Sequence, residues 1–261
     1  MSDIFSSLTG WLHLGLTQFL GLLFSPFGDA EAWERYGGRI VSGLGITVQI
    51  VVITCLLGAV LGLAAAFPLL SRNRWIRAPF RAFSYSLRGT PLLVQLFLVY
   101  YGGLQFRGFF EAIGVWWFFR EAWYCVLLTY TLNTAAYQAE IFRGAIQSVP
   151  SGQWEAARAL GVSRWTTFRI VILPQAMIVA LRPLGNEVVL MIKASALAAL
   201  VTIFDLMGEV RYAYSRTYDF TVYIWAAVLY LILVDVTRRL WMRFEVRLTR
   251  HMPQQVTELP G

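Results

Sequence analysis

Residues 155–174 read EAARALGVSRWTTFRIVILP and form a polar segment between long apolar runs. Gly161 can adopt the left-handed backbone that commonly ends a helix. Ser163 can then cap a second helix, whose continuation Pro174 limits. The pattern predicts two short helices joined at a glycine, within a segment of residues 150–174 that we call the elbow.

The charged side chains of the elbow predict that it lies in water, because unpaired charges are costly inside a bilayer. These side chains are Glu155, Arg158, Arg164 and Arg169. With Ser151 as the N-cap, the first helix would hold Glu155 in its first turn, where the helix dipole favours a carboxylate and a partner's arginine could pair with it. Ala156 and Ala157 keep this helix narrow, so it could enter a groove on a partner.

The composition is typical of an integral membrane protein, with 57% apolar and 15% aromatic residues and a positive mean hydropathy. The net charge of +7 does not indicate a nucleic-acid partner, because the basic residues cluster between apolar runs. Cys55 and Cys125 lie within such runs, which favours small buried side chains over a disulfide or a metal site. His13 and His251 lie near opposite ends, so no histidine cluster is expected.

Five apolar segments are predicted to cross the membrane as core spans. They lie at about residues 43–67, 91–104, 122–142, 178–204 and 220–237. The second apolar run is short, so that span is predicted to begin within residues 83–90. A polar external link is predicted at residues 205–219. Residues 4–24 carry an apolar stripe typical of an interfacial helix, with an additional span as the alternative.

The arginines between the spans predict the orientation of the chain. Fourteen arginines fall on one side of the proposed spans and six on the other, which places the N-terminus outside and the C-terminus inside. The elbow is then cytoplasmic. The expected organisation is an N-terminal periplasmic or interfacial region at residues 1–40, a transmembrane permease domain at residues 41–245 and a cytoplasmic tail at residues 246–261.

No motif for covalent chemistry is present: the sequence has no GxxxxGK[ST] phosphate loop, no GxSxG and no HExxH. We therefore expect no catalytic residues and no metal site, and any energy used by the chain has to come from a partner.

Polar residues within the predicted spans are candidates for a substrate path, because such residues are costly there unless paired or hydrated. Glu187 could receive an ammonium or guanidinium group, while Asn186 and Lys193 share one helical stripe on the same span. Asn133 is a further candidate. The alternative for all four is a structural role between helices or subunits. Two ion pairs are also predicted, one between Glu140 and Arg143 and one between Asp235 and either Arg238 or Arg239.

The elbow resembles the EAA loop of ABC importer permeases. The matching residues are Glu155, Ala156, Ala157, Gly161, Val171, Leu173 and Pro174, with Val171 where the family has isoleucine. Three further segments are similar to the polar amino-acid permease family, which includes histidine, basic-amino-acid and opine importers. They read LRGTPLLVQLFLVYYG at 87–102, TLNTAAYQAEIFRGAIQSVPSGQ at 131–153 and LGNEVVLMIKASALAAL at 184–200.

This resemblance implies an all-α, polytopic membrane helix bundle like the type I ABC importer permeases, located in the bacterial inner membrane. It implies a cytoplasmic ATPase dimer that receives the elbow as a coupling helix, and ATP with magnesium bound there rather than by this chain. It also implies a periplasmic substrate-binding protein and a sister permease, with a heterodimer favoured over a homodimer. The expected cargo is a polar amino acid, basic above all, or an opine, moved by alternating access. A passive channel or structural membrane scaffold without ATP coupling is the alternative function, and an intramembrane enzyme would require a nucleophile and base that the sequence does not offer.

Overall fold

The structure is a computed structural model that describes residues 10, 13–22 and 30–249, and within those ranges every regular element is a helix. The helices are α1 over residues 13–22, α2 Ala30–Leu69, α3 Arg74–Gly89, α4 Leu92–Gln105, α5 Arg107–Ala112, α6 Trp116–Phe119, α7 Ala122–Ser148, α8 Ser151–Ala159, α9 Arg164–Thr167, α10 Leu173–Ser195, α11 Leu206–Thr217 and α12 Thr221–Thr249. A π-helical segment, Phe168–Ile172, joins α9 to α10, and a 3₁₀ segment, Ala196–Val201, follows α10.

The predicted spans coincide with helices, although the structure does not establish how many helices cross a membrane. Among the described residues, three stretches are long and apolar enough to do so: Glu31–Leu69, Arg164–Val201 and Thr221–Thr249. Helix α4 is apolar but shorter. Helix α7 has 27 residues, about 40 Å, but carries many polar side chains. The count of five spans and their orientation therefore stay predictions.

The start predicted for the second span also stays a prediction. Residues 83–90 form the end of α3 and a bend at Thr90, and α4 begins only after Pro91. Proline has no N–H to donate and disfavours helical backbone in the residue before it, so the two helices separate here.

The predicted link at residues 205–219 is largely helical, since it contains α11. Asp205 caps this helix, because its Oδ1 accepts the N–H of Gly208 at 2.9 Å. Burial raises the pKa of the Asp205 carboxyl to about 6. The hydrophobic pattern alone did not reveal this helix because its alternation is interrupted by arginine, serine and tyrosine.

The chain divides into two compact units, and four long helices contribute to both. Unit 1 comprises Met1–Leu56, Thr90–Thr131 and Leu190–Val234. Its core packs Trp33 edge-to-face against Trp225, with ring centroids 5.1 Å apart. The Trp33 indole N–H also donates to the carbonyl of Thr17 at 3.1 Å, which ties α1 to α2.

Unit 2 comprises Leu57–Gly89, Leu132–Val189 and Asp235–Gly261. Its core is built from small and aliphatic side chains of α2, α7 and α10 together with Ile172 of the π segment. The fully or largely buried members are Ala66, Phe142, Ala145, Ile146, Val149, Ile172, Ala176 and Ala180. This core positions the elbow, because the helices on either side of the elbow both end in it.

The domain boundaries expected from the sequence fall inside helices. Helix α2 continues through residues 40 and 41, and α12 continues through residues 245 and 246. The division into an N-terminal region, a permease domain and a tail stays a prediction. Of the segment 4–24, the described residues 13–22 are helical, and the remainder lies almost entirely outside the described residues.

Candidate functional site

The first arm of the elbow is α8, and it begins differently from the prediction. Pro150 occupies the N-cap position, while Ser151 is the first helical residue and makes no capping bond through its side chain. Glu155 consequently lies in the second turn, so the predicted place of its carboxylate in the first turn is wrong. Pro150 has the extended backbone of a capping residue, with φ −55° and ψ 137°, and this starts the helix without a side-chain acceptor.

The turn of the elbow is formed at Gly161, as predicted. Its φ is 70°, in the left-handed region that favours glycine. The N–H of Gly161 donates to the Arg158 carbonyl at 3.0 Å, and the N–H of Val162 donates to the Ala157 carbonyl at 3.0 Å. These two bonds satisfy carbonyls that the end of α8 would otherwise leave unpaired, which stabilises the turn.

The second arm begins at Ser163, whose Oγ accepts the N–H of Thr166 at 3.2 Å and so confirms the predicted cap. The prediction that Pro174 limits this helix is wrong, because α9 continues through the π segment into α10. Pro174 is the second residue of α10 and directly follows the π segment. The wider π turn shifts the backbone hydrogen-bond pattern at the position where the N–H that proline lacks would be needed.

One side of the elbow is held by the core of unit 2 and the other side is open. Trp154 packs against that core, and Ala157 is buried. Glu155, Ala156 and Gly161 are exposed, and Glu155 forms no ion pair with any described residue. Three of the four residues predicted for coupling therefore lie on the open side, whereas Ala157 belongs to the packed side.

Three large apolar side chains on the open side were not singled out from the sequence. Leu160, Trp165 and Ile170 are 81%, 67% and 67% exposed. The signal that could have identified them is the presence of large apolar residues in a segment that its charged residues predict to lie in water. We call these three exposed residues, together with Glu155, the elbow face; they supply the mixture of aromatic, aliphatic and charged groups common at protein interfaces.

Glu187 is the only one of the four path candidates that is both charged and buried in the described part of the chain. Its Oε1 accepts the hydroxyl of Thr134 at 3.0 Å, and that hydroxyl in turn accepts the side-chain amide of Gln138 at 3.0 Å. No arginine, lysine or histidine of the described residues forms an ion pair with Glu187. The carboxylate is thus held in place by a neutral network, and the charge of Arg88 acts on it without forming an ion pair.

A glycine pair on α2 makes room for this network. A Cβ on Gly62 would lie 2.9 Å from the Cβ of Gln138 and 3.0 Å from the Ala135 carbonyl oxygen, and a Cβ on Gly58 would clash with Thr134. The spacing of Gly58 and Gly62 is the small-xxx-small pattern of tightly packed membrane helices, and that pattern was the available signal in the sequence.

Asn133 binds the end of α3. Its side-chain amide donates to the Leu87 carbonyl at 3.2 Å, and the Tyr137 hydroxyl donates to the Arg88 carbonyl at 3.4 Å. Both bonds satisfy terminal carbonyls of α3, which agrees with the structural alternative for Asn133.

Asn186 and Lys193 lie seven residues apart on α10, a spacing that puts two residues on the same side of a helix. Both side chains are exposed. Asn186 belongs to unit 2, and Lys193 belongs to unit 1, where it lines a cavity of about 300 Å³ with Tyr223 and Tyr230.

The predicted ion pairs are present. Arg143 Nε lies 2.6 Å from Glu140 Oε2, and Arg239 Nε lies 2.7 Å from Asp235 Oδ2. Among the pairs that were not foreseen, Arg182 of α10 pairs with Glu245 of α12 at 2.7 Å. Sequence separation hid this pair, because it joins two helices 63 positions apart.

Cys125 is buried, as predicted, whereas Cys55 is only partly buried. Over the residues that the structure describes, no group of three or more histidine, cysteine or acidic side chains could hold a metal ion.

Comparison with known proteins agrees with this arrangement. The family described as binding-protein-dependent transport system inner membrane component matches residues 58–250. The chain is 42% identical over 219 residues to the nopaline transport system permease protein of Agrobacterium fabrum, covering 84% of this chain and 91% of that protein. It is 42% identical over 224 residues to the histidine/lysine/arginine/ornithine transport system permease protein of Escherichia coli K12, covering 84% of this chain and 93% of that protein.

Solved structures show the same fold. A chain in the crystal structure of an amino acid ABC transporter with histidines superposes with a TM-score of 0.74 and 33% identity, covering 84% of this chain and 99% of that chain. A chain of the inward-facing MetNI methionine ABC transporter superposes with a TM-score of 0.66 at 22% identity, covering 81% and 96%, which supports the fold alone. The chain therefore belongs to the family of binding-protein-dependent transport system inner membrane components, the permease subunits of ABC importers.

Proposed function

We propose that this permease serves an importer of basic amino acids or opines and that the elbow face docks on a cytoplasmic ATPase dimer. The observation that carries the coupling role is the turn at Gly161, which joins α8 to α9: Glu155 and Leu160 are exposed before the turn, and Trp165 is exposed after it. The named cargoes of the relatives support the substrate class, since nopaline, histidine, lysine, arginine and ornithine are all polar and nitrogen-rich.

A second permease subunit would complete the assembly, and we favour a non-identical sister. Asn186 and Lys193 are exposed on α10, which would place polar groups against hydrocarbon unless protein or water covers that face. A partner permease can cover it and enclose a path. The inner membrane is the proposed location, with a periplasmic binding protein delivering cargo to the outer side and ATP–Mg bound only by the ATPase.

Charge reversal at Glu155 tests the coupling role. We expect Glu155→Lys to lower binding-protein-stimulated ATP turnover and uptake at least about tenfold, because an unpaired carboxylate at an interface would be replaced by a like charge opposite the partner's basic groups. The measurement uses the full complex in liposomes, with the ATPase, the sister permease, the binding protein and a panel of basic amino acids and opines.

Glu34→Lys is the matched control, because Glu34 is also exposed and forms no ion pair with a described residue but lies far from the elbow in sequence. It should leave turnover near the wild-type level. If Glu155→Lys also turned over ATP and transported normally, the elbow would be a passive connector, and a channel or scaffold without ATP coupling would become the better description.

We also propose that Glu187 receives the cationic group of the cargo. Glu187→Gln keeps an oxygen that can accept the Thr134 hydroxyl but removes the charge, so the half-saturating cargo concentration should rise roughly tenfold or more, with little change in thermal stability. Uptake kinetics and thermal unfolding of the same preparation measure both effects. Thr134→Val is the control, since it removes the hydrogen bond but leaves the carboxylate. A loss of stability with unchanged kinetics in Glu187→Gln would give Glu187 a structural role only.

A further inference from the structure

A basic cavity in unit 2 is not explained by coupling or by the proposed cargo. It has a volume of about 460 Å³ and lies between α3 and α7. Its polar lining consists of Arg77, Arg81, Arg88, Arg143, Glu140 and Gln147. Four guanidinium groups face one carboxylate, so the lining carries a net charge of +3. A cavity of this size is within the range of small-molecule sites, about 300–1,000 Å³.

The single carboxylate of the cavity is already engaged. Glu140 accepts Arg143 Nε at 2.6 Å and also the hydroxyl of Ser84 at 3.3 Å. Arg143 completes its contacts by donating to Gln147 at 2.6 Å. The polar groups of α7 are therefore satisfied among themselves, and the excess positive charge comes from α3.

Arg77, Arg81 and Arg88, the three α3 arginines of the cavity lining, form no ion pair among the described residues. The charge of Arg88 also acts on the carboxylate of Glu187. Arg88 lies over the ring of Tyr137, with 5.3 Å from its Cζ to the ring centroid. Arg77 and Arg81 are one helical turn apart, and like charges at this spacing destabilise a helix. An anion bound in the cavity would remove that repulsion.

The chemistry of the cavity fits phosphate rather than the cargo proposed above. Guanidinium groups present planar pairs of N–H donors that match the oxygens of phosphate. The net positive charge of the lining would repel a cationic amino acid, so the cavity is not expected to bind the cargo.

The opposite face of α3 indicates which kind of molecule would carry a phosphate bound in the cavity. Trp75, Ile76 and Phe80 are 77%, 49% and 36% exposed, while the arginines repeat along the other side of the helix. A helix with a basic face and an aromatic, apolar face is typical of the membrane interface, where basic clusters attract anionic lipids. The sequence-based topology also assigns α3 to the cytoplasmic side.

We propose that this cavity binds a phosphate-bearing anion, with the headgroup of an acidic phospholipid as the favoured source and free phosphate as the other. Arg77, Arg81 and Arg88 hold the phosphate, and the apolar face of α3 lies against the acyl chains. The proposal concerns the complex without ATP, so it does not depend on whether the elbow couples to an ATPase.

Native mass spectrometry of the complete importer tests this proposal. The complex is released without ATP from mild detergent containing phosphatidylglycerol or phosphatidylcholine, and bound lipid is counted. Wild type should retain phosphatidylglycerol preferentially. The double variant Arg77→Gln/Arg81→Gln should bind it roughly 30-fold more weakly, since each basic residue near an anionic surface contributes about fivefold in affinity. Arg72→Gln/Arg74→Gln removes the same charge from neighbouring positions outside the cavity lining, so it measures the general attraction to an anionic surface and should weaken binding less than the Arg77/Arg81 variant does.

Inorganic phosphate distinguishes the two sources. If millimolar phosphate displaces phosphatidylglycerol, or shifts the unfolding temperature of wild type but not of the double variant, lipid and phosphate bind at the same site. If the complex responds to phosphate but shows no lipid preference, the site binds the soluble anion. Equal retention of both lipids with no phosphate response overturns the proposal, as does an equal loss in the Arg72/Arg74 control. Should the double variant fail to fold, Gln147→Glu adds a carboxylate to the lining while still accepting from Arg143, and it should weaken phosphatidylglycerol binding about fivefold. Unchanged binding in that variant would also contradict the site.

Discussion

Substitution of Gly161 by proline should abolish coupled transport by the reconstituted importer. Proline fixes φ near −65°, whereas Gly161 has a φ of 70°, and proline also removes the N–H that donates to the Arg158 carbonyl. The expected penalty for the local structure is about 3 kcal/mol or more, enough to populate other conformations of the elbow. Uptake and binding-protein-stimulated ATP turnover should both fall to background, while the helices of unit 2 still fold.

Two further glycine variants make this result specific to the turn. Gly161→Ala keeps the N–H and should give an intermediate loss, because alanine tolerates left-handed backbone at a cost of about 1–2 kcal/mol. Gly152→Ala lies in the same elbow, but its added Cβ meets no atom within 4 Å and it has no positive φ, so it should transport normally. Wild-type uptake by Gly161→Pro would mean that the geometry of this turn is not needed for coupling.

Substitution of Gly62 by leucine should prevent unit 2 from packing correctly. The first added atom alone would lie 3.0 Å from the backbone nitrogen of Ala139 and from the Ala135 carbonyl oxygen, so α2 and α7 have to separate. Overpacking of this kind costs about 1–3 kcal/mol even where side chains can adjust, and here backbone atoms form part of the wall. The yield of monodisperse protein in detergent should fall severalfold, and the remaining protein should unfold at a lower temperature.

Gly45→Leu provides the comparison on the same helix. A Cβ at Gly45 meets no atom within 4 Å, and leucine favours helix more than glycine does, so this variant should be as stable as wild type or more so. Similar losses for the two variants would show that bulk on α2, rather than the close approach to α7, causes the defect.

The elbow was predictable in its turn but not at its two ends. Gly161 and Ser163 act through backbone geometry and a local cap, which depend on residues within three or four positions, and both predictions were confirmed. The start of α8 depended on Pro150, which takes the N-cap position without an acceptor, and the passage through Pro174 depended on a π turn. Neither leaves a clear pattern in residue types.

The path candidates show what spacing can and cannot establish. Helical periodicity placed Asn186 and Lys193 on one stripe, but it did not indicate that both side chains are exposed. It could not tell that Glu187 binds Thr134 or that Asn133 binds the end of α3, because each contact joins helices whose packing is set by side chains far apart in sequence. The pairing of Arg182 with Glu245 escaped prediction for the same reason.

The unbroken helical run from Ser163 into α10 makes the two arms of the elbow mechanically unequal. The left-handed turn isolates α8, whereas α9 shares one rod with the segment that carries Glu187. Trp165 and Glu187 are separated along this rod by about 30 Å. If this run, which includes the π segment and Pro183, moves as one body, a tilt of about 5° imposed at Trp165 would displace the far end by about 2–3 Å. In the docking proposed above, small rotations of the elbow face would then become movements as large as a hydrogen-bond length beside the buried carboxylate.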